Sequence, residues 1–197
     1  MNRKSTEIRQ REIKQALLTI IKNDGIGAVS TKRLAEEVNI SGGAIFRHFN
    51  SKRDIIFSII HDVSIDFIGS LEVIANSDRT PRDKLELFVC RTIEYLTEHD
   101  GITMLLFSEA SHFNDRTIME KLRHIFNSQR LFVGEIIKEG VSSGIWDNAV
   151  SIEDVTMLYM GIPITLNVNL ILSKGTFQKK EFCRKMIALL ERILRIE

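Results

Sequence analysis

Residues Ser30 to Phe49 read STKRLAEEVNISGGAIFRHF, and the spacing within them predicts two short helices joined by a tight turn. Ser30 can cap a first helix running to Val38, in which Leu34, Ala35 and Val38 share one face. Asn39, Ile40 and Ser41 break that pattern. Ser41 is positioned as a second N-cap, and Ile45 with Phe49, four apart, give the next helix a buried stripe through Phe49. Arg47 and His48 stand between those apolar positions, on the side left free. A short helix that buries one face and offers Arg and His on the other suits the major groove of a duplex, which is wide enough to admit it.

Outward from this stretch, the chain of 197 residues is long enough for one domain or for a small head on a larger body. Its 44% apolar and 27% charged residues are ordinary globular values, which exclude the collagen-like and disordered classes. A net charge of +1 hides an asymmetry. Residues 1 to 60 hold eleven Lys/Arg against six Asp/Glu, whereas the remainder holds sixteen against twenty. The basic part is the part with the helix-turn-helix, as expected of a nucleic-acid-binding head on a neutral-to-acidic body.

Before the motif, Ile13, Ala16, Leu17, Ile20 and Ile21 repeat at helical spacing and predict a helix from Thr6 to Asn23, ended at Asp24-Gly25. Arg3 and Lys4 form a basic arm ahead of it. A small core of Ile13, Leu17, Ile20, Val29, Leu34, Val38, Ile40, Ile45 and Phe49 is expected to close the head. Ser51 then caps one long helix from Lys52 to Asn76. Further helices are expected from Thr80-Pro81-Arg82-Asp83 to His99, over Ile102 to Ser111, from an Asn114 cap to Gly140, from Ser151 to Ser173 with Pro163 inside, and from Phe177 to the C-terminus. The last carries two apolar heptad stripes: Phe182, Met186, Leu189, Ile193 and Ile196, and beside them Cys183, Ile187, Leu190 and Leu194. That is about nine helices and no strand, an all-α chain divided into residues 1–50 and 51–197.

Several classes of chemistry find no support. No nucleophile motif, phosphate loop or catalytic carboxylate pair is present, and the five histidines form no metal-ligand pair, so neither an enzyme nor a metal or cofactor is expected. Cys90 and Cys183 are far apart without a CxxC partner and read as buried apolar packing. The charged start shows no secretory signal, and the apolar run Met157 to Leu172 is short and interrupted for a bilayer span, which points to a cytoplasmic protein without a membrane partner.

The ordered run Gly25-Ile26-Gly27-Ala28-Val29-Ser30, Leu34-Ala35, Val38-Asn39-Ile40-Ser41, Gly43-Ala44-Ile45-Phe46-Arg47-His48-Phe49 and Ser51-Lys52 resembles the TetR family of transcriptional regulators over the first 55 to 60 residues. The resemblance implies a three-helix DNA-binding head, a linking fourth helix, and a body that binds a small effector and dimerises through its last two helices, Ser151 to Ser173 and Phe177 to Ile196. It places Thr31, Ser41, His48 and Lys52 near phosphates, and Gly42, Ala44 and Arg47 toward bases. Gly42 and Gly43 are read either as a fraying helix start or as a close approach of backbone to DNA. Four positions depart from the family's habit: Gly42 is often lysine, Ala44 often threonine or serine, and Phe46 and His48 often tyrosines. The implied function is a ligand-responsive repressor acting as a homodimer on a palindromic operator. The alternative is a DNA-bound structural or cell-division factor without an effector. For a largely apolar effector, the candidate contacts are His61, Asp66, Phe107, His112 and Asn167; the competing readings are separate surface or core roles for the histidines, ordinary core for Phe107, and helix packing or a dimer hydrogen bond for Asp66 and Asn167.

Overall fold

The computed structural model describes residues 5–111, 115–172 and 176–195. Ten α-helical segments follow one another: α1 Thr6–Asp24, α2 Thr31–Glu37, α3 Gly42–Ile45, α4 Lys52–Asp62, α5 Gly69–Ala75, α6 Pro81–Glu98, α7 Ile102–Ser111, α8 Arg116–Ser142, α9 Ile152–Leu172 and α10 Lys179–Leu194. No strand occurs among the described residues. The fold is all-α, with an N-terminal helix-turn-helix and a helical C-terminal part.

Most helix starts follow from local chemistry. Ser5, Ser30 and Ser51 each accept a hydrogen bond from the amide three residues on, at Ile8, Arg33 and Asp54. At α6 the Thr80 hydroxyl takes the Asp83 amide and donates to the Asp83 carboxylate, so each group satisfies the other. Asn114 lies outside the described residues; Asp115 accepts the amides of Thr117 and Ile118 and so caps α8 itself. The single helix expected from Lys52 to Asn76 is interrupted. Residues Val63–Ile68 form a π-helical segment between α4 and α5, which opens the backbone by one residue per turn. Counting α4, this segment and α5 as one run leaves nine helices among the described residues.

The chain divides into two compact units, Met1–Val63 with His99–Leu122, and Ser64–Glu98 with Arg123–Glu197. The first therefore takes in more than residues 1–50. Its core joins Ile13, Leu17, Ile20, Leu34, Ile45 and Phe49 to Ile55, Ile59 and Ile60 of α4 and to Ile102 and Leu105 of α7. Val38 and Ile40, expected inside, are only half-buried because they flank the turn. Gly101 shows why α7 can lie so close to α1: at φ +92°, a Cβ there would stand 2.5 Å from the Leu18 carbonyl oxygen.

The second unit has its own core of Phe67, Leu71, Phe88, Val133, Trp146, Val155, Tyr159, Leu166 and Leu190. Phe67 stacks on Tyr95 at 4.6 Å between ring centroids, and Tyr159 hydrogen-bonds Thr92 at 2.7 Å while burial pushes its phenol above the ordinary range. Trp146 lies against Gly140 so closely that a Cβ would meet its ring at 2.0 Å. Cys90 and Cys183 are joined in a disulfide, which corrects their reading as separate buried packing. Sequence spacing could not bring together residues 93 apart.

α9 runs for 21 residues, longer than the apolar run read from the sequence, and an 18-residue window within it has a mean hydropathy of 1.6, so by length and composition alone it is long and apolar enough to cross a membrane. One side, Val155, Thr156, Tyr159, Ile162 and Leu166, packs into the second unit. Met157, Ile164, Val168 and Ile171 on the other side are exposed at heptad spacing.

Candidate nucleic-acid interface

The helix-turn-helix of the first unit is built around one turn. Val38 ends α2, and Asn39 adopts φ +53°, a left-handed conformation that asparagine tolerates better than most residues. The Ile40 amide then bonds back to the Ala35 carbonyl at 2.9 Å, which turns the chain toward α3. Regular α3 is shorter than expected, covering Gly42–Ile45. Residues 46–48 continue as tight turns, with the Arg47 amide on the Ala44 carbonyl and the His48 amide on the Ile45 carbonyl. Ile45 and Phe49 remain buried, as their spacing required.

Between these anchors Phe46 and Arg47 project outward, and no ion pair engages Arg47 among the described residues. Other arginines nearby are engaged. Arg33 pairs with Asp24, Glu36 and Glu37, Arg9 with Glu12, and Arg53 with Asp115. An exposed guanidinium without a carboxylate partner keeps its five donors for an external acceptor. The electrostatic selection is therefore sharper than the count of basic residues implied.

The remaining candidates take distinct places. Thr31 opens α2 and is half-buried; Ser41 precedes α3, and its hydroxyl makes no capping bond. Gly42, Gly43 and Ala44 form the start of α3, where a Cβ added to either glycine would meet nothing within 4 Å. The His48 carbonyl accepts a 3.0 Å bond from Gln10, and its ring Nδ1 is buried with no protein partner. Lys52 donates to the Val29 carbonyl at 3.3 Å, so it ties the start of α4 to the loop before α2. Arg3 and Lys4 lie outside the described residues. Lys32, beside Thr31 in the first turn of α2, is exposed without an ion pair among the described residues, and sequence reading passed over it. Its place next to Thr31 was the available signal.

The effector candidates are divided between the two units. His61 is exposed in the first unit with Nδ1 3.4 Å from the Lys121 ammonium, and Phe107 is there too, 38% exposed. Asp66 is exposed and Asn167 half-buried in the second unit, and His112 lies outside the described residues. A groove in the second unit between α8 and α9, about 600 Å³, is lined by other residues, including Arg130, Leu131, Lys138 and Thr156. The Thr156 hydroxyl and the Gln129 carbonyl oxygen are buried without a protein partner. Sequence had no means of flagging them, since a threonine or glutamine within a helix does not reveal whether its polar atoms are paired.

Residues 14–59 match the family model described as bacterial regulatory proteins, tetR family. Over these residues the chain carries the DNA-binding helix-turn-helix of that family. The nucleoid occlusion factor SlmA of Actinobacillus pleuropneumoniae is 24% identical over 139 residues, 70% of this chain and 69% of that protein. SlmA of Vibrio cholerae is 23% identical over 132 residues, 66% of this chain and 67% of its own. Among solved structures, the ketosteroid regulator KstR2 of Mycobacterium tuberculosis superposes with a TM-score of 0.82 at 16% identity, covering 96% of both chains. FadR of Bacillus subtilis, in complex with stearoyl-CoA, gives 0.69 at 17% identity over 91% of this chain and 96% of that one. At such identities the structural likenesses speak to the fold.

Proposed function

We propose that this chain is a cytoplasmic, homodimeric, effector-responsive repressor of the TetR family that reads a palindromic operator through two copies of the helix-turn-helix. The observation that carries the DNA contact is the exposed, uncompensated Arg47 held between buried Ile45 and Phe49. A guanidinium so placed can donate two hydrogen bonds to guanine O6 and N7. Thr31, Ser41, His48 and Lys52 are assigned to phosphates, and the bare backbone of Gly42, Gly43 and Ala44 to close approach. In functional terms, residues 1–50 read DNA and residues 51–197 bind effector and partner.

Dimerisation is assigned to α9 and α10, which pack on each other and expose Met157, Ile164, Val168, Leu189 and Ile193. Such a two-helix apolar surface suits a second copy in a bundle. The effector is proposed to be largely apolar, in keeping with an all-helical fold shared with an acyl-CoA-bound relative. Effector binding would shift the equilibrium between head separations that do and do not match half-sites one helical turn apart. His61, Asp66, Phe107, His112 and Asn167 stay proposed contacts, and neither cofactor nor metal is required. The likeness to SlmA favours a second reading, a DNA-bound factor whose body contacts protein instead of a small effector.

Sequences selected by the protein from a randomised duplex pool test the first part. Arg47→Ala is expected to lose one to three kcal/mol of discrimination at one base position, or roughly 5- to 150-fold, with its helical circular dichroism intact. Unchanged selection would remove Arg47 from the role. Release of the selected duplex by long-chain acyl-CoA but not by free CoA would separate the repressor from the second reading.

A further inference from the structure

The chain contains two cysteines, and although 93 positions separate them they meet. Cys90 on α6 is half-buried and Cys183 on α10 is 8% exposed, with a Cα–Cα distance of 5.7 Å that suits a disulfide without backbone movement. The bond sits between two ion pairs that set the same antiparallel register: Arg82 with Glu191 at 3.3 Å on one side, and Lys179 with Glu94 at 3.9 Å on the other. Both pairs are solvent-accessible and therefore weak ties. The disulfide is the strong one. On α10, Cys183 shares the inward stripe with Leu190 and Leu194, while Leu189 and Ile193 face out. The bond thus pins to α6 the helix whose outer face is assigned to the partner protomer.

We propose that Cys90 and Cys183 are a reversible redox modification site that regulates DNA binding. This rests on the DNA-binding reading above, because a protein that reads DNA works where thiols are kept reduced, and a disulfide there is redox-sensing more often than permanent. Cys90, the more exposed of the two residues, attacks hydrogen peroxide; the O–O bond breaks, a sulfenic acid forms and one water leaves. The Cys183 thiolate then attacks that sulfur, the S–O bond breaks, and the departing hydroxide takes up the proton released from the Cys183 thiol and leaves as the second water. Overall two thiols are oxidised and one peroxide is reduced. Two glutathione thiols reverse the change and become glutathione disulfide. In the oxidised form the long closed loop restricts the unfolded chain and α10 is held in register on α6.

The test uses the full-length protein, reduced under anaerobic conditions and divided, with one half treated with one equivalent of hydrogen peroxide. Alkylation and peptide mass spectrometry read the cross-link, thermal melting reads stability, and fluorescence anisotropy reads affinity for a duplex selected from a randomised pool. Expected are a Cys90–Cys183 cross-link within one chain, its loss in reduced glutathione, a melting temperature higher by on the order of 10 °C, and affinities differing at least about fivefold between the two forms. Cys90→Ser, with Cys90→Ala as a check on folding, should bind DNA equally well before and after peroxide. The proposal is overturned by the absence of the cross-link, by a cross-link that glutathione cannot reduce, or by equal affinity of the two forms. If neither form selects any DNA sequence, the DNA-binding reading falls and the regulation with it, although the cross-link and melting shift are still measured separately.

Discussion

At the scale of single residues, the glycine at position 43 in the first turn of α3 is one that the protein's own packing does not explain. Its φ is not in the left-handed region, and a Cβ would occupy open space. Alanine is the better helix former by up to about 1 kcal/mol, so nothing inside the chain favours glycine there. Gly43→Ala should therefore keep or slightly raise thermal stability. If DNA approaches the backbone at this point, the same change should lower affinity for a selected duplex by more than about tenfold, a loss of 1.4 kcal/mol or more. Titration of that duplex by anisotropy decides it, and unaltered affinity would leave only a fraying helix start. Arg47 belongs to the same scale: its proposed use rests on the absence of an ion pair to it among the described residues, while Arg33 is held by Asp24, Glu36 and Glu37.

At the scale of elements, α4 and α8 meet through Arg53 and Asp115 within the first unit. The Arg53 hydrogen bond, which outweighs the opposing desolvation and is helped by the Ile118 amide, the Arg53 charge and the Thr117 amide, holds the Asp115 carboxyl below its usual value of 3.8. A carboxyl lowered on folding stabilises fully above its unfolded value, and that contribution is lost as pH falls through the folded one. Asp115→Asn keeps an oxygen for the cap but removes the charge. The gap between wild type and variant in urea midpoint should be widest at pH about 7 and narrow toward pH about 3. Equal gaps at both would mean that the pair adds no pH-dependent stability.

At the scale of the molecule, the outward faces of α9 and α10 carry the assembly prediction. Leu189 is 50% and Val168 49% exposed in the single chain, so glutamate at either position costs the fold little. Leu189→Glu and Val168→Glu together should shift the protein from dimer to monomer in sedimentation equilibrium, with helical content retained. A persistent dimer would place the interface elsewhere. Weaker operator binding should accompany dissociation, because two half-sites bound by one dimer gain from the high effective concentration of the second head.

Much of this was legible in the residues. Periodicity at Ile13, Leu17 and Ile20, the caps at Ser30, Ser51 and Thr80, and the pairing of Ile45 with Phe49 specify helices, their starts and the turn between α2 and α3, because those signals act over one or two turns of chain. The doubled heptad of α10 was equally visible, but not which stripe lies inside. Burial of Cys183, Leu190 and Leu194 beside exposed Leu189 and Ile193 required the position of α6. The π-helical segment at Val63–Ile68, the Asp115 cap, the Arg53–Asp115 pair and the Cys90–Cys183 bond share that dependence. Local chemistry in the sequence determined the helices and the DNA-reading motif by itself. Which groups meet across 60 to 90 residues was decided only by tertiary packing, since spacing along a chain carries no information about distance once the chain has folded back on itself.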